Sequence, residues 1–247
     1  AHQDGVQIEN LSDSRTGLQL AGPNARHVLE AACGQPLDHI RFMDVMRLSV
    51  GTVDCIVQRL SYTGDLGFEI YCDAMHQRCL WWALWQAGQA HDITPFGMRA
   101  MMSLRLDRFF GSWLSEFSPD YTPFETGLDR FVPFDSKTNF IGRDAYAAQQ
   151  QSPQWLLATK AGRGFIVDAD DADVNGYEPI WHDGKVVGFC TSGGYSHHAE
   201  ASVALGFLPT GLEAPDLAVE IEILGQMRPA RLTTTPLLDP YGTALRA

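Results

Sequence analysis

The hydrophobic and polar positions near the start of the chain predict a short strand followed by a helix. Residues 16–20 alternate as a strand does, and Pro23 then fits the first turn of a helix. Gly34 supplies the helix stop. Between them, apolar residues recur at helical spacing: Ala25, Val28, Leu29 and Ala32. The pattern therefore indicates one strand–helix unit.

Three β-rich runs and a second helix follow. Two of the runs flank a turn near Gly51, the third covers residues 67–73, and residues 75–89 have a helical pattern. On that helix we expect Trp81 to point inward and Trp82 to lie at least partly outside. The order β-α-β-β-β-α predicts a ferredoxin-like α/β unit over residues 1–92.

The rest of the chain divides into a helical connector and an all-β module. Residues 95–109 have a helical pattern, and the Gly-, Pro- and aromatic-rich stretch after it is typical of an ordered connector. We assign residues 93–157 to this part. Residues 158–247 are short strands and turns, which predict a β-barrel or jelly-roll module. The expected fold class is α+β.

Composition and charge narrow the classes of function. The chain has 247 residues, 45% hydrophobic and 19% charged, with a net charge of −12. We therefore do not expect nucleic acid as a partner, because binding its phosphates needs a basic stripe. A small anionic ligand stays compatible with this charge, since it needs only a local cluster of Arg or Lys. No apolar run approaches the about 20 residues of a membrane helix, so no membrane partner is expected.

Cysteine usage and the N-terminal residues suggest a cytoplasmic protein. Five cysteines without a CxxC pair are typical of reduced, mostly buried thiols. The first residues lack the basic and apolar regions of a signal peptide. The chain also begins without Met, so it is either processed or a piece of a longer protein.

Glu69 is a charged residue within an otherwise apolar strand pattern. It stands between Phe68 and Ile70 in a strand pattern, so it faces the opposite side from them. That side is either solvated or lined for a ligand. Tyr62, Gly64 and Gly67 precede it, and glycines allow close backbone approach while a tyrosine offers a stacking face. With a carboxylate that accepts parallel N–H bonds, this describes a site for a flat, donor-rich heterocycle such as a pterin.

Other motifs carry less chemistry, and no metal site is expected. The stretch DADVNG copies the start of a calcium loop, but its twelfth position is His182 instead of a bidentate Glu, which favours an acidic hairpin loop. His197 and His198 lack further ligands at metal spacing and favour a polar loop. The preceding TSGGYS is no dinucleotide fingerprint or serine elbow, but it suits a tight turn whose amides face a ligand.

The stretch SYTGDLGFEIY resembles the signature of the folate-dependent aminomethyltransferase family, which comprises the T-protein of the glycine cleavage system and its relatives. Further segments resemble the family in order, including LQLAGPNARHVLE, NFIGRDA and YEPIWHDGKVVGFCTSGGYS. The segments SLRLDRFFGSW and DYTPFETGL are more similar to the folate-binding C-terminal part of dimethylglycine and sarcosine dehydrogenases. The resemblance covers essentially the whole chain and implies three small domains around a central hole that holds tetrahydrofolate. It also implies that residues 93–157 are a remnant of the central, folate-binding α+β domain.

The resemblance also implies site residues. Tyr62 would pack near the pterin, and Glu69 would hydrogen-bond its amino-pyrimidine edge. Phe109 or Phe110 stands where the dehydrogenase branch places an aromatic ring against folate. Arg105 either supplies positive charge to the folate or supports the fold; the T-protein's Arg-Asp pair is replaced here by two methionines at residues 101 and 102.

The implied function is one-carbon transfer from a methylated amine to tetrahydrofolate. The amine would be dimethylglycine, sarcosine or an aminomethyl-lipoyl group. The family's catalytic aspartate lies in a segment that precedes this sequence, so the catalytic residue is unknown, and an N-terminal fragment or a flavin-binding domain or chain is an expected partner. The alternatives are a tetrahydrofolate-dependent O- or S-demethylase and a non-catalytic folate-binding module.

Overall fold

The computed structural model describes residues 5–135, 139–149, 155–157 and 163–247, with the side chains of residues 155–157 left out. The chain forms two compact units: one comprises Ala1–Phe96 with Tyr241–Ala247, and the other comprises Gly97–Pro240. The division into residues 1–92, 93–157 and 158–247 stays a prediction.

The described residues form eleven strands and five α-helices, besides three short 3-10 helices. The strands are β1 Arg15–Ala21, β2 Val45–Val50, β3 Val53–Gln58, β4 Gly67–Asp73, β5 Trp155–Leu157, β6 Gly164–Val167, β7 Pro179–His182, β8 Lys185–Ser196, β9 Ala201–Pro209, β10 Ala218–Ile223 and β11 Gln226–Thr233. The helices are α1 Ala25–Cys33, α2 Gln77–Gly88, α3 Met98–Leu106, α4 Arg143–Gln149 and α5 Thr243–Arg246.

The first unit is a four-stranded antiparallel sheet with α1 and α2 packed on its core. The strand order is β1-β4-β3-β2. Helix α1 ends where the sequence predicts, because Gly34 adopts the left-handed conformation at φ 68° and its N–H donates to Glu30 O at 2.8 Å. The core side chains include Leu29, Val57, Phe68 and Ile70.

Alternation along β4 separates the core from the outer face of this sheet. Phe68, Ile70 and Cys72 are fully buried, whereas Glu69 and Tyr71 are half-buried on the other face. The predicted orientation of Glu69, away from the apolar core, is therefore what the strand register produces.

Helix α2 buries a different stripe from the one that its tryptophans suggest. Its buried residues are Leu80, Leu84 and Gly88, spaced four apart. Trp81 lies one position off this stripe and is 41% exposed, so the expectation that it points inward is wrong. Its ring stacks on Trp85 at 6.2 Å instead.

The loop between β3 and β4 is held by the buried guanidinium of Arg59. Arg59 donates to Gly67 O at 3.2 Å and to Ala247 O at 2.5 Å, and it lies 5.3 Å from the ring centroid of Phe68. A Cβ at Gly67 would lie 2.6 Å from Ser61 Cβ and 2.8 Å from Leu20 O. Glycine is therefore needed where the loop closes onto the start of β4.

The second unit contains a closed six-stranded antiparallel barrel. Its order is β9-β6-β11-β10-β7-β8, and β8 pairs again with β9 to close it, while β5 adds to β9. The barrel confirms the predicted C-terminal β-barrel, and the strands and helices together confirm the α+β class. Helix α3 lies against β8 and β9. Inside the barrel lie Phe165, Ile180, Cys190, Ile221 and Leu232.

None of the helices in the described part of the chain has the length and apolar run that a bilayer crossing requires.

We expect Gly67→Ala to lower the free energy of unfolding by about 2 kcal/mol, because backbone and Ser61 atoms stand where the methyl group must go. Chemical denaturation measures the change. Gly97→Ala is the control, since a Cβ there meets no atom within 4 Å. Equal effects of the two substitutions would contradict the proposed crowding at Gly67.

Candidate functional site

Glu69 presents one carboxylate oxygen on the outer face of the first unit. Its Oε2 accepts a hydrogen bond from the Tyr71 hydroxyl at 2.6 Å. No hydrogen-bond partner for its Oε1 is found among the described residues. The carboxylate is thus oriented by the protein on one side and available as an acceptor on the other.

Two glutamines flank Glu69 on this face. Gln19 of β1 and Gln58 of β3 are its direct antiparallel partners. The Oε1 atom of Gln19 is buried without a hydrogen-bond partner in the described chain. Buried acceptors are nearly always paired in folded proteins, so this face offers hydrogen-bonding capacity that the described chain leaves unused.

Tyr71 remains a hydrogen-bond donor over the whole physiological range. Burial, followed by the hydrogen bond and the charge of Glu69, raises the pKa of Tyr71 to about 12. The phenol therefore stays protonated, and its hydroxyl keeps donating to the carboxylate.

Tyr62 is half-buried at the tip of the loop that leads into β4. The loop is shaped by Ser61 and Thr63, whose hydroxyl oxygens lie 2.8 Å apart. The Ser61 hydroxyl also accepts from the Thr63 N–H at 3.3 Å, and Gly64 turns the chain at φ 85°. Tyr62 and Glu69 thus belong to one continuous segment of the first unit, whose turn is defined by these contacts.

Arg105, Phe109 and Phe110 lie at the end of α3 in the second unit. Arg105 is 1% exposed and donates to Phe110 O at 2.8 Å. Phe109 is buried against Leu106 and the barrel strand β9, and its backbone adopts φ 53°. Phe110 is half-buried beside it. The guanidinium of Arg105 therefore fixes the backbone turn that carries both rings.

Glu116 binds Arg105 and lies at the centre of a buried polar cluster that no sequence motif indicated. Its buried carboxylate accepts from hydroxyls of Thr191 and Ser192, both at 2.5 Å, and of Ser115 at 2.7 Å. The Ser112 N–H donates at 2.6 Å, and Arg105 lies at 3.4 Å. The TSGGYS stretch thus contributes hydroxyl groups to Glu116.

Electrostatics in this cluster favour the ionised carboxylate. Burial by itself would raise the pKa of Glu116, but Arg105, the two hydroxyls of β8 and the Ser112 N–H together hold it below its ordinary value. Burying a carboxylate is costly unless donors replace its water. Glu116 meets that requirement and links the connector to the barrel.

The acidic and histidine motifs make contacts within the protein. Asp171 pairs with Arg228 at 2.5 Å, and Asp173 accepts from Ser202 at 2.7 Å. His198 Nδ1 lies 2.8 Å from Asp107. Within the described ranges, no group of three His, Cys, Asp or Glu residues is arranged to hold a metal ion.

Two domain profiles match the chain in order. The GCVT N-terminal domain matches residues 1–136, and the glycine cleavage T-protein C-terminal barrel domain matches residues 160–239. The chain belongs to the glycine cleavage T-protein family. This confirms the resemblance drawn from the sequence motifs.

Relatives of this T-protein family member include proteins named dimethylglycine dehydrogenase and proteins named aminomethyltransferase. Mitochondrial dimethylglycine dehydrogenase from Homo sapiens is 36% identical over 238 residues, which cover 94% of this chain and 27% of that protein. An aminomethyltransferase from Caldanaerobacter subterraneus is 31% identical over 227 residues, which cover 92% of this chain and 59% of that protein.

A solved structure has the same fold. The crystal structure of glycine cleavage system aminomethyltransferase T from Bartonella henselae superposes with a TM-score of 0.79 at 26% identity. The match covers 92% of this chain and 60% of that one. The chain therefore spans less than two thirds of the length of each of these relatives.

We expect Glu116→Gln to lower the free energy of unfolding by about 3 kcal/mol at pH 7, because the buried guanidinium loses its charged partner. The folded-state pKa of Glu116 is depressed, so its contribution is present above the unfolded pKa of about 4.3 and is lost as pH falls through the folded value. Denaturation at several pH values measures this difference.

The control is Glu220→Gln on the exposed face of β10, which should change stability by less than about 0.5 kcal/mol. A Glu116→Gln deficit that stays constant from pH 7 down to about pH 3 would contradict the assigned role of the charge.

Proposed function

We propose that this chain supplies the tetrahydrofolate-binding part of a one-carbon transferase. The observation that carries the proposal is Glu69, whose carboxylate is oriented by Tyr71 and keeps Oε1 without a partner in the described chain. The signature SYTGDLGFEIY and the family membership support the same assignment.

The chemistry of the outer face suits the edge of a pterin. An amino-pyrimidine edge offers adjacent N–H donors, and a carboxylate is the strongest acceptor that a protein can place against them. The unpaired acceptors of Glu69 and Gln19 are the groups that would receive those donors. Tyr62 would pack against the flat ring.

The remaining predicted residues keep distinct proposed roles. Phe109 or Phe110 would place an aromatic surface against the folate. Arg105 is engaged with Glu116 and Phe110 O, which favours a role in holding that aromatic turn. Its positive charge would then act on the ligand only at a distance.

The proposed reaction transfers a one-carbon unit from an N-methylated amine. Tetrahydrofolate supplies the amines that accept this unit, and the product would be 5,10-methylenetetrahydrofolate. The chain's own residues would bind and orient the folate, and such positioning is a large part of what enzymes contribute. Similarity to dimethylglycine dehydrogenase favours dimethylglycine or sarcosine as the donor, with oxidation by a flavin domain or partner.

We expect Glu69→Ala to weaken tetrahydrofolate binding at least about tenfold, because a charge-assisted hydrogen bond is removed. Titration followed by tryptophan fluorescence measures the dissociation constants. Asp73→Ala is the matched control, since Asp73 is an exposed carboxylate on the same face of β4, paired with Arg15. Equal affinities of wild type and Glu69→Ala would rule out the pterin role of Glu69.

The folate product tests the reaction itself. In the full-length protein, dimethylglycine, tetrahydrofolate and an electron acceptor should yield 5,10-methylenetetrahydrofolate, identified by mass spectrometry. Formation of 5-methyltetrahydrofolate from an O- or S-methyl donor would instead favour a demethylase. Tight folate binding without turnover of any of these donors would favour a non-catalytic module.

A further inference from the structure

Tyr71 and Gly17 form a pair on the outer face of the first unit. They are direct antiparallel partners on β4 and β1, two residues along each strand from the Glu69–Gln19 pair. A Cβ at Gly17 would lie 2.8 Å from Tyr71 Cε1 and 2.9 Å from Cδ1. The tyrosine ring therefore lies directly over the glycine, in space that any other residue would occupy.

This packing determines where the Tyr71 hydroxyl points. With the ring seated on Gly17, the hydroxyl lies 2.6 Å from Glu69 Oε2. The terminal torsion of a glutamate is broad and poorly fixed by its own rotamer preferences. A donor on one oxygen removes that freedom and leaves the other oxygen in one orientation before a ligand arrives.

We propose that Tyr71, seated on Gly17, is a positioning residue that presents Glu69 Oε1 to the donor edge of the bound heterocycle. The inference rests on the proposed folate site and deepens it. Tyr71 acts through Glu69 and need not touch the ligand. The ligand class it selects has at least one N–H donor on a flat ring edge, and a ring with a carbonyl at that position would meet the fixed oxygen unfavourably.

The arrangement also limits how the carboxylate is used. Oε2 already accepts the phenolic hydrogen bond with one of its two lone pairs, so more accepting capacity is left at Oε1 than at Oε2. Glu69 is thus prepared to accept first through Oε1, and the neighbouring strand offers a further acceptor. The buried Oε1 of Gln19, which has no partner in the described chain, lies on the neighbouring strand at the same level.

The test is a double-mutant cycle in the full-length protein, with 5-formyltetrahydrofolate as a stable probe. We expect Tyr71→Phe to raise the dissociation constant about threefold to tenfold. In the Glu69→Ala background, the same substitution should change it less than about twofold, because the group being positioned is gone.

Gly17→Ala is a second, independent variant. Its methyl group should displace the ring and weaken binding to a similar extent as Tyr71→Phe, again only while Glu69 is present. Tyr241→Phe, at a tyrosine that is 83% exposed, is the matched control and should leave binding unchanged. Thermal unfolding of each variant shows whether the fold persists.

The outcomes distinguish failure of the Tyr71 positioning role from failure of the proposed folate site. If wild type binds and Glu69→Ala binds weakly, but Tyr71→Phe equals wild type, only the positioning role is overturned. The same holds if Tyr71→Phe weakens binding equally with and without Glu69. If wild type does not bind the probe at all, the proposed folate site fails and the positioning role fails with it.

Discussion

The antiparallel register of β4 between β1 and β3 is the constraint on which the candidate site depends. Side chains alternate with a period of two, so the pairing that buries Phe68 and Ile70 also turns Glu69 to the opposite face. A slip of one residue would place a carboxylate in the apolar core. The apolar packing of this unit therefore also fixes the orientation of Glu69.

Glu116 and Glu69 differ in how many hydrogen-bond donors their carboxylates receive from the protein. Glu116 is fully buried and accepts hydrogen bonds from a guanidinium, three hydroxyls and an N–H. Its carboxylate is therefore fully engaged in contacts within the protein. Glu69 is half-buried and receives one hydroxyl. The first arrangement is typical of a structural link, whereas the second leaves an acceptor for the ligand proposed above.

The sequence predicted those features that depend on local periodicity and on turn chemistry. The end of α1 at Gly34, the outward orientation of Glu69 and the C-terminal barrel all follow from such patterns. The sequence pattern predicts Trp81 as buried because its side chain is large and apolar. In the structure, Leu80 and Leu84 form the buried stripe, and Trp81 lies one position away from it.

Glu116 was missed for a different reason. Its donors from β8 stand 75 and 76 residues further along the chain, and no local spacing reports contacts at that separation. The same is true of Gln19, whose relation to Glu69 exists only through strand pairing. For Tyr71 a signal was present, since it lies two residues after Glu69 in a strand and must share its face.

The contact between Arg59 and Ala247 has a consequence for how the protein folds. It joins positions 188 residues apart, so the first unit includes the last segment of the sequence. On a ribosome, β1 to β4 emerge early but must wait for residues 241–247 before Arg59 can form this bond. Pairings between such distant positions slow folding, because the entropy of closing a long loop is lost before the contact stabilises anything.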